Sequence, residues 1–123
     1  MIVKLSGELD LSVRSEIDRT LARLVAAPIA ILDLRDVTFA DTTLLNGVVR
    51  VARERKARLG QDAPVRIFGA TRMVACMFYL TFLDEFVRFY SSASDAWAGG
   101  PSAIAGCVEA GGLRIPFLGT GMP

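Results

Sequence analysis

The sequence predicts an α/β domain: a small, mostly parallel β-sheet with helices packed against it, in the order β-α-β-α-β-α-β-α. Three observations support this. Short apolar runs alternate with longer stretches whose apolar residues recur at helical spacing. Capping residues or breakers bound several of those helical stretches. The run "IAILDL" at 29–34 is apolar almost throughout, as expected of a strand covered on both faces. Strands joined by helices of this length imply right-handed crossovers and therefore parallel neighbours.

The elements follow in order. Ile2 to Leu5 reads as a short strand, and Ser6-Gly7-Glu8-Leu9-Asp10 as the turn that leaves it. A helix capped by Asp10 or Ser12 runs to about Ala27, with Val13, Ile17, Leu21 and Leu24 inward and Arg14, Glu16, Asp18, Arg19 and Arg23 outward. Pro28 stops it, and Ile29 to Leu34 is the next strand. The second helix spans Thr42 to about Leu59, turning Leu45, Val48 or Val49, Ala52 and Leu59 inward, and Gly60 closes it. Val65 to Gly69 is a strand, Thr71 caps a third helix to about Leu83, Phe86 to Tyr90 is a last strand, and a short helix surrounds Ser94 to Trp97. After Ala98 the chain turns rich in glycine and proline. We read 1–98 as the domain and 99–123 as a flexible tail, with Leu113 to Leu118 as the one stretch that could form a strand.

Composition narrows the function. At 123 residues and 52% hydrophobic, the chain suits a single domain with a real core, and it lacks the ~20-residue apolar run of a membrane span. No basic-then-apolar leader opens it, and the net charge of +1 gives no general attraction to nucleic acid or anionic lipid. Two cysteines without CxxC spacing, Cys76 and Cys107, fit a reduced, cytoplasmic setting. The chain contains no histidine, which removes Ser–His and Cys–His nucleophile pairs and the usual zinc sites. With no P-loop and no clustered ligands, neither a catalytic residue nor a cofactor nor a metal is expected.

The junction "FADTTLLN" at 39–46 attracts most of the functional interest. Asp41 suits the N-cap of the second helix, accepting from the free amides of its first turn. Capping needs one side-chain oxygen, so the hydroxyls of Thr42 and Thr43 are surplus to it, and β-branching gives them no helical advantage.

Four stretches together resemble the STAS domain, the fold of anti-sigma factor antagonists and of sulfate-transporter tails. They are "LSGELD" at 5–10, "ILDLRDVTFADTT" at 31–43, "LTFLDEF" at 80–86 and "FYSSASDAW" at 89–97, in family order and covering roughly Ile2 to Ala98. In the regulatory branch of that family, an Asp-Ser/Thr-Ser/Thr motif opens the second helix, and its second hydroxyl is phosphorylated by a kinase that is also the anti-sigma factor. The resemblance implies Asp41 as the motif's aspartate, Thr42 as its first hydroxyl residue and Thr43 as phosphoacceptor. Asp41, Thr42, Thr43, Leu44 and Asn46 would then form the partner-binding surface. It implies a non-enzymatic module that works by partner switching. The alternative is a constitutive STAS adaptor, for example in a transporter assembly, docking without phosphorylation.

The chain departs from the family pattern at Leu44 and Phe82, where glycine is usual. It also opens where the family's second strand normally lies. The first strand is therefore expected to be missing or shortened, leaving a sheet edge open, unless the start codon is placed late. Elsewhere the readings are structural. The basic run Arg50, Arg53, Arg55, Lys56, Arg58 reads as a solvated face with some steering of an acidic partner. Asp33 and Asp36 read as turn-holding residues, and Cys76 as a packing residue. The apolar third helix "RMVACMFYLTFL" reads either as well buried or as a partner face.

Overall fold

The computed structural model describes residues 1–60, 63–81, 83–100, 104–110 and 113–118. Along the chain lie β1 (Ile2–Leu9), α1 (Arg14–Ala22), β2 (Ile31–Ala40), α2 (Thr42–Leu59), β3 (Val65–Phe68), α3 (Arg72–Leu80), β4 (Val87–Tyr90) and α4 (Ala93–Ala98). β5 (Ile104–Ala110) and β6 (Leu113–Leu118) follow. The strands β1 to β4 form one parallel sheet in chain order, while β5 and β6 make a separate antiparallel pair.

Chain order equals sheet order, so every crossover steps the same way and right-handed connections place α1, α2 and α3 on one face. Their common core joins Ile17 and Leu21 of α1, Leu44, Leu45 and Val48 of α2 and Phe78 of α3 to Val3, Leu32, Ile67 and Phe89 of the strands. α4 takes the opposite face, where Ala96 meets Ile31, Phe68 and Tyr90. The pairs Ile31/Leu32, Ile67/Phe68 and Phe89/Tyr90 thus divide between two clusters, as the two-residue period of a strand requires. The expectation that 29–34 is covered on both faces rests on this division.

Several element ends differ from the sequence reading, each for a visible reason. β1 does not turn at Ser6 but continues to Leu9, with Gly7 at φ 80 and register shifts on both sides of it. β2 likewise runs past Leu34 to Ala40. The charges that suggested a strand end are paired instead. Asp33 accepts from the backbone and guanidinium of Arg35, and Asp36 pairs with Lys4 on β1. Asp36 therefore ties β2 to β1, and Asp33 pairs within β2, so neither ends the strand in a turn. α1 is regular only to Ala22, and its continuation to Ala27 tightens into i→i+3 bonds such as Leu24 N–H to Leu21 O and Ala27 N–H to Leu24 O. α3 ends at Leu80, where the Thr81 hydroxyl donates to the Met77 carbonyl and closes the last turn. Leu59, expected inward, is exposed, whereas Val48 and Val49 are both buried.

The basic run is also corrected at one position. Arg55 is 1% exposed, not solvated. Its guanidinium donates to the carbonyls of Leu24, Ala27 and Pro28 at the end of the first helical segment and to Ala63 before β3. It therefore supplies donors at a helix end, where carbonyls run short of amide partners, and gives the Leu24 carbonyl a second donor beside Ala27 N–H. Burial pulls its pKa down, with the charge of Arg66 adding to the effect.

The Leu113 to Leu118 stretch is β6, and its backbone lies alongside α3. β5, which the sequence reading did not expect, pairs with β6, while Phe82 and residues 101–103, 111–112 and 119–123 lie outside the described residues. Cys76 is half-buried with a free thiol. The third helix answers both readings at once: Val74, Ala75, Phe78 and Tyr79 are buried, while Met73 and Leu80 face outward.

Candidate functional site

The β2–α2 junction builds the site at the carboxyl ends of β1 and β2. Asp41 is the N-cap of α2, with extended backbone and its Oδ1 accepting from Thr43 N–H at 2.8 Å. Its own N–H donates to the Leu9 carbonyl, tying the cap to the end of β1. The helix start is thus fixed from two sides before any partner arrives.

The first turn then sorts the expected residues. Thr42 and Asn46 are exposed and Thr43 is half-buried. Leu44, expected as a partner contact, is 1% exposed in the core, so its side chain is withdrawn from the surface. The same burial means that the side chain standing in place of the family glycine does not obstruct the approach to Thr43. A glycine does occur one turn on. Gly47 is buried, and a Cβ there would stand 3.0 Å from Leu21 Cδ1 and 3.4 Å from Asp18 Oδ1, so it lets α1 lie close to α2.

That close approach makes a cavity of ≈ 300 Å³ lined by Leu11, Arg14, Asp18, Asp41, Thr42, Thr43, Asn46 and Arg50. Asp18 anchors its charged wall, with Arg50 Nη1 at 3.1 Å and Arg14 Nε at 3.6 Å from the same carboxylate oxygen. Above it Leu11 is 68% exposed, and Phe39 at the end of β2 is also outside. The sequence reading missed Leu11, Arg14, Asp18 and Arg50 as members of this site. Their signals were present in part: Arg14 and Asp18 stand four apart on one helix, and Arg50 stands seven residues from Thr43.

Among the described residues, no group of histidine, cysteine or carboxylate side chains could hold a metal ion. None of the described helices is long and apolar enough to cross a membrane. The site offers hydroxyls, a capped helix terminus, an amide and a pair of guanidinium groups on one carboxylate.

The family model of the STAS domain matches residues 1–96. The chain belongs to the STAS domain family. Two solved structures share its fold. A candidate anti-sigma factor antagonist from Thermotoga maritima superposes with a TM-score of 0.64 at 20% identity, covering 79% of this chain and 85% of that one. The anti-sigma factor antagonist SpoIIAA in its unphosphorylated form superposes with a TM-score of 0.58 at 14% identity, covering 79% of this chain and 84% of that one. No curated protein matches by sequence. In this STAS domain, the four-stranded parallel sheet with α1, α2 and α3 on one face is the arrangement that brings the α2 cap beside the start of α1.

Proposed function

We propose that this STAS domain is an anti-sigma factor antagonist-like module that acts by partner switching. Unmodified, it binds an anti-sigma factor that is also a serine/threonine kinase. Phosphorylation at Thr43 releases it. The observation that carries the reading is the position of Thr43: its amide is held by Asp41 while its side chain lines an open cavity at a helix N-terminus. Asp41, Thr42, Thr43 and Asn46 form the centre of the partner surface, with exposed Leu11 and Phe39 beside them as apolar contacts.

Phosphorylation adds about −1.5 to −2 charges and three acceptor oxygens. Inside the chain, that charge falls at the positive end of α2, where an anion is tolerated. Across a protein interface the same charge must be desolvated beside Asp41, which opposes binding. A modification that spares the fold and weakens the complex follows from this difference.

The second reading is a constitutive adaptor, docking without modification. It draws on Met73, 74% exposed, and Leu80 on the outer side of α3. One experiment separates the two: incubation with candidate anti-sigma kinases and ATP, followed by intact mass and site mapping. The switch predicts one phosphate on Thr43, lost in Thr43→Ala with partner binding kept, and weaker binding in Thr43→Glu. Tight binding by Thr43→Glu, with no added mass from any kinase that binds, would leave the adaptor.

A further inference from the structure

We infer that the phosphate on Thr43, once placed, is captured within its own chain by Arg50 and Arg14, which leave Asp18 to hold it. The inference rests on Thr43 as the acceptor and concerns what happens to the group after transfer. In that transfer Thr43 Oγ1 forms a bond to the γ-phosphorus of ATP and the bond from that phosphorus to ADP breaks. The hydroxyl proton passes to a base of the kinase or to water.

Three features of the cavity support capture. The first is placement. Thr43, Asn46 and Arg50 lie at i, i+3 and i+7 on α2 and line the same ≈ 300 Å³ cavity. Helical side chains lean towards the N-terminus, so Arg50 extends back along the helix in the direction of Thr43. Arg14 enters the same space from α1.

The second feature is charge. Two guanidinium groups share one carboxylate, Asp18, at 3.1 and 3.6 Å, which leaves one positive charge in that group uncompensated. The other carboxylate on the wall, Asp41, is already engaged as the cap through Oδ1. Both arginine side chains are roughly half exposed and therefore able to change partner at little cost.

The third feature is ligand chemistry. A phosphate dianion with three acceptor oxygens is a stronger and more geometrically suitable partner for guanidinium than one shared carboxylate. The exposed Asn46 side chain supplies a further donor. Capture has a consequence for the switch. The modified form gains a neutralised phosphate and loses two cations from the partner-facing surface, so release depends on the withdrawn arginines as well as on the added charge.

The test uses the full chain with phosphothreonine installed at position 43 by genetic encoding, so that it does not depend on finding the kinase. Its second ionisation is followed by ³¹P NMR as a function of pH. The charged groups facing the phosphate are Arg14 and Asp18 from α1, Arg50 from α2 and Asp41 from the cap. Capture predicts a midpoint about 0.5–1 pH unit below the ordinary value of about 6. Arg50→Gln and Arg14→Gln should each move it back up, Arg50→Lys should move it less, and Asp18→Asn should lower it further. Circular dichroism confirms that the variants remain folded, as their surface positions lead one to expect. A midpoint at about 6 that none of these changes moves would overturn capture and leave the arginines as surface partners of Asp18. Failure of the acceptor reading looks different: kinase and ATP add no mass at Thr43, while the installed phosphate still titrates low.

Discussion

Two side chains fix α2, one at each end, and each is testable by truncation. Asp41 contributes a charge-assisted hydrogen bond to the Thr43 amide and places a carboxylate at the positive end of α2. Asp41→Ala should therefore lower stability by about 0.5–2 kcal/mol in urea unfolding, whereas Asp41→Asn should retain most of it. Arg55 acts at the far end of the same helix. Its side chain satisfies four carbonyls, three of them from the chain that follows α1, in a site closed to water. Removing it takes a donor from each of these carbonyls, three of them on the buried residues Leu24, Ala27 and Ala63, so Arg55→Ala should cost about 3 kcal/mol or more. Arg55→Lys should rescue little of that, because a single ammonium cannot match a planar fork that serves four acceptors. Rescue by lysine in a denaturant titration would mean that charge, and not the fork, is what the site needs.

At the scale of elements, the turns between strand and helix govern how close the pieces lie. Gly69, directly after β3, has φ 75, and a Cβ there would stand 2.2 Å from Arg35 Cγ and 3.0 Å from its backbone nitrogen. Gly69→Ala should thus be destabilising by about 1–3 kcal/mol, from backbone strain and from the displaced β2 segment together, measurable as a lower thermal midpoint. The same elements show what a sequence discloses. The span of α2 was legible to the residue, because Asp41 caps it, Gly60 ends it and Leu45, Val48 and Ala52 keep period between them. The extent of β2 was not legible, since the charges of Arg35 and Asp36 suggest a strand end unless Arg35 is seen paired with Asp33 along the strand and Asp36 with Lys4 on β1. Arg55 was hidden for a related reason: its neighbours in sequence are solvated, and only the carbonyls of distant residues reveal it as buried. In the site, Asp41, Thr42, Thr43 and Asn46 were legible as one contiguous motif. Arg14 and Asp18 were not, because the approach of α1 at Gly47 brings them in from another element.

For the whole molecule, acid stability depends on how the sheet carries a carboxylate at its heart. Asp33 is 3% exposed in β2, between the apolar positions Leu32 and Leu34. Burial alone would push its carboxyl up, but the hydrogen bonds from the Arg35 side chain and backbone, with the charges of Arg35 and Lys4, outweigh it and hold the group below its ordinary value of 3.8. Between the folded and unfolded values the unfolded chain binds more protons, so stability rises with pH across that window. The contribution is fully present above about 3.8 and disappears as pH falls through the lower folded value. Asp33→Asn keeps the shape but removes the charge from the pair. At pH 7 it should lower stability by about 1–2 kcal/mol, discounted because the Arg35 head is largely in water. Well below the folded value the difference should shrink, since the parent carboxyl is then protonated as well. Urea midpoints of parent and variant, measured from pH 7 down to about pH 2, should therefore converge at the acid end. Curves that stay parallel throughout would show that Asp33 acts through packing alone and that the β2 ion pair contributes nothing to acid sensitivity.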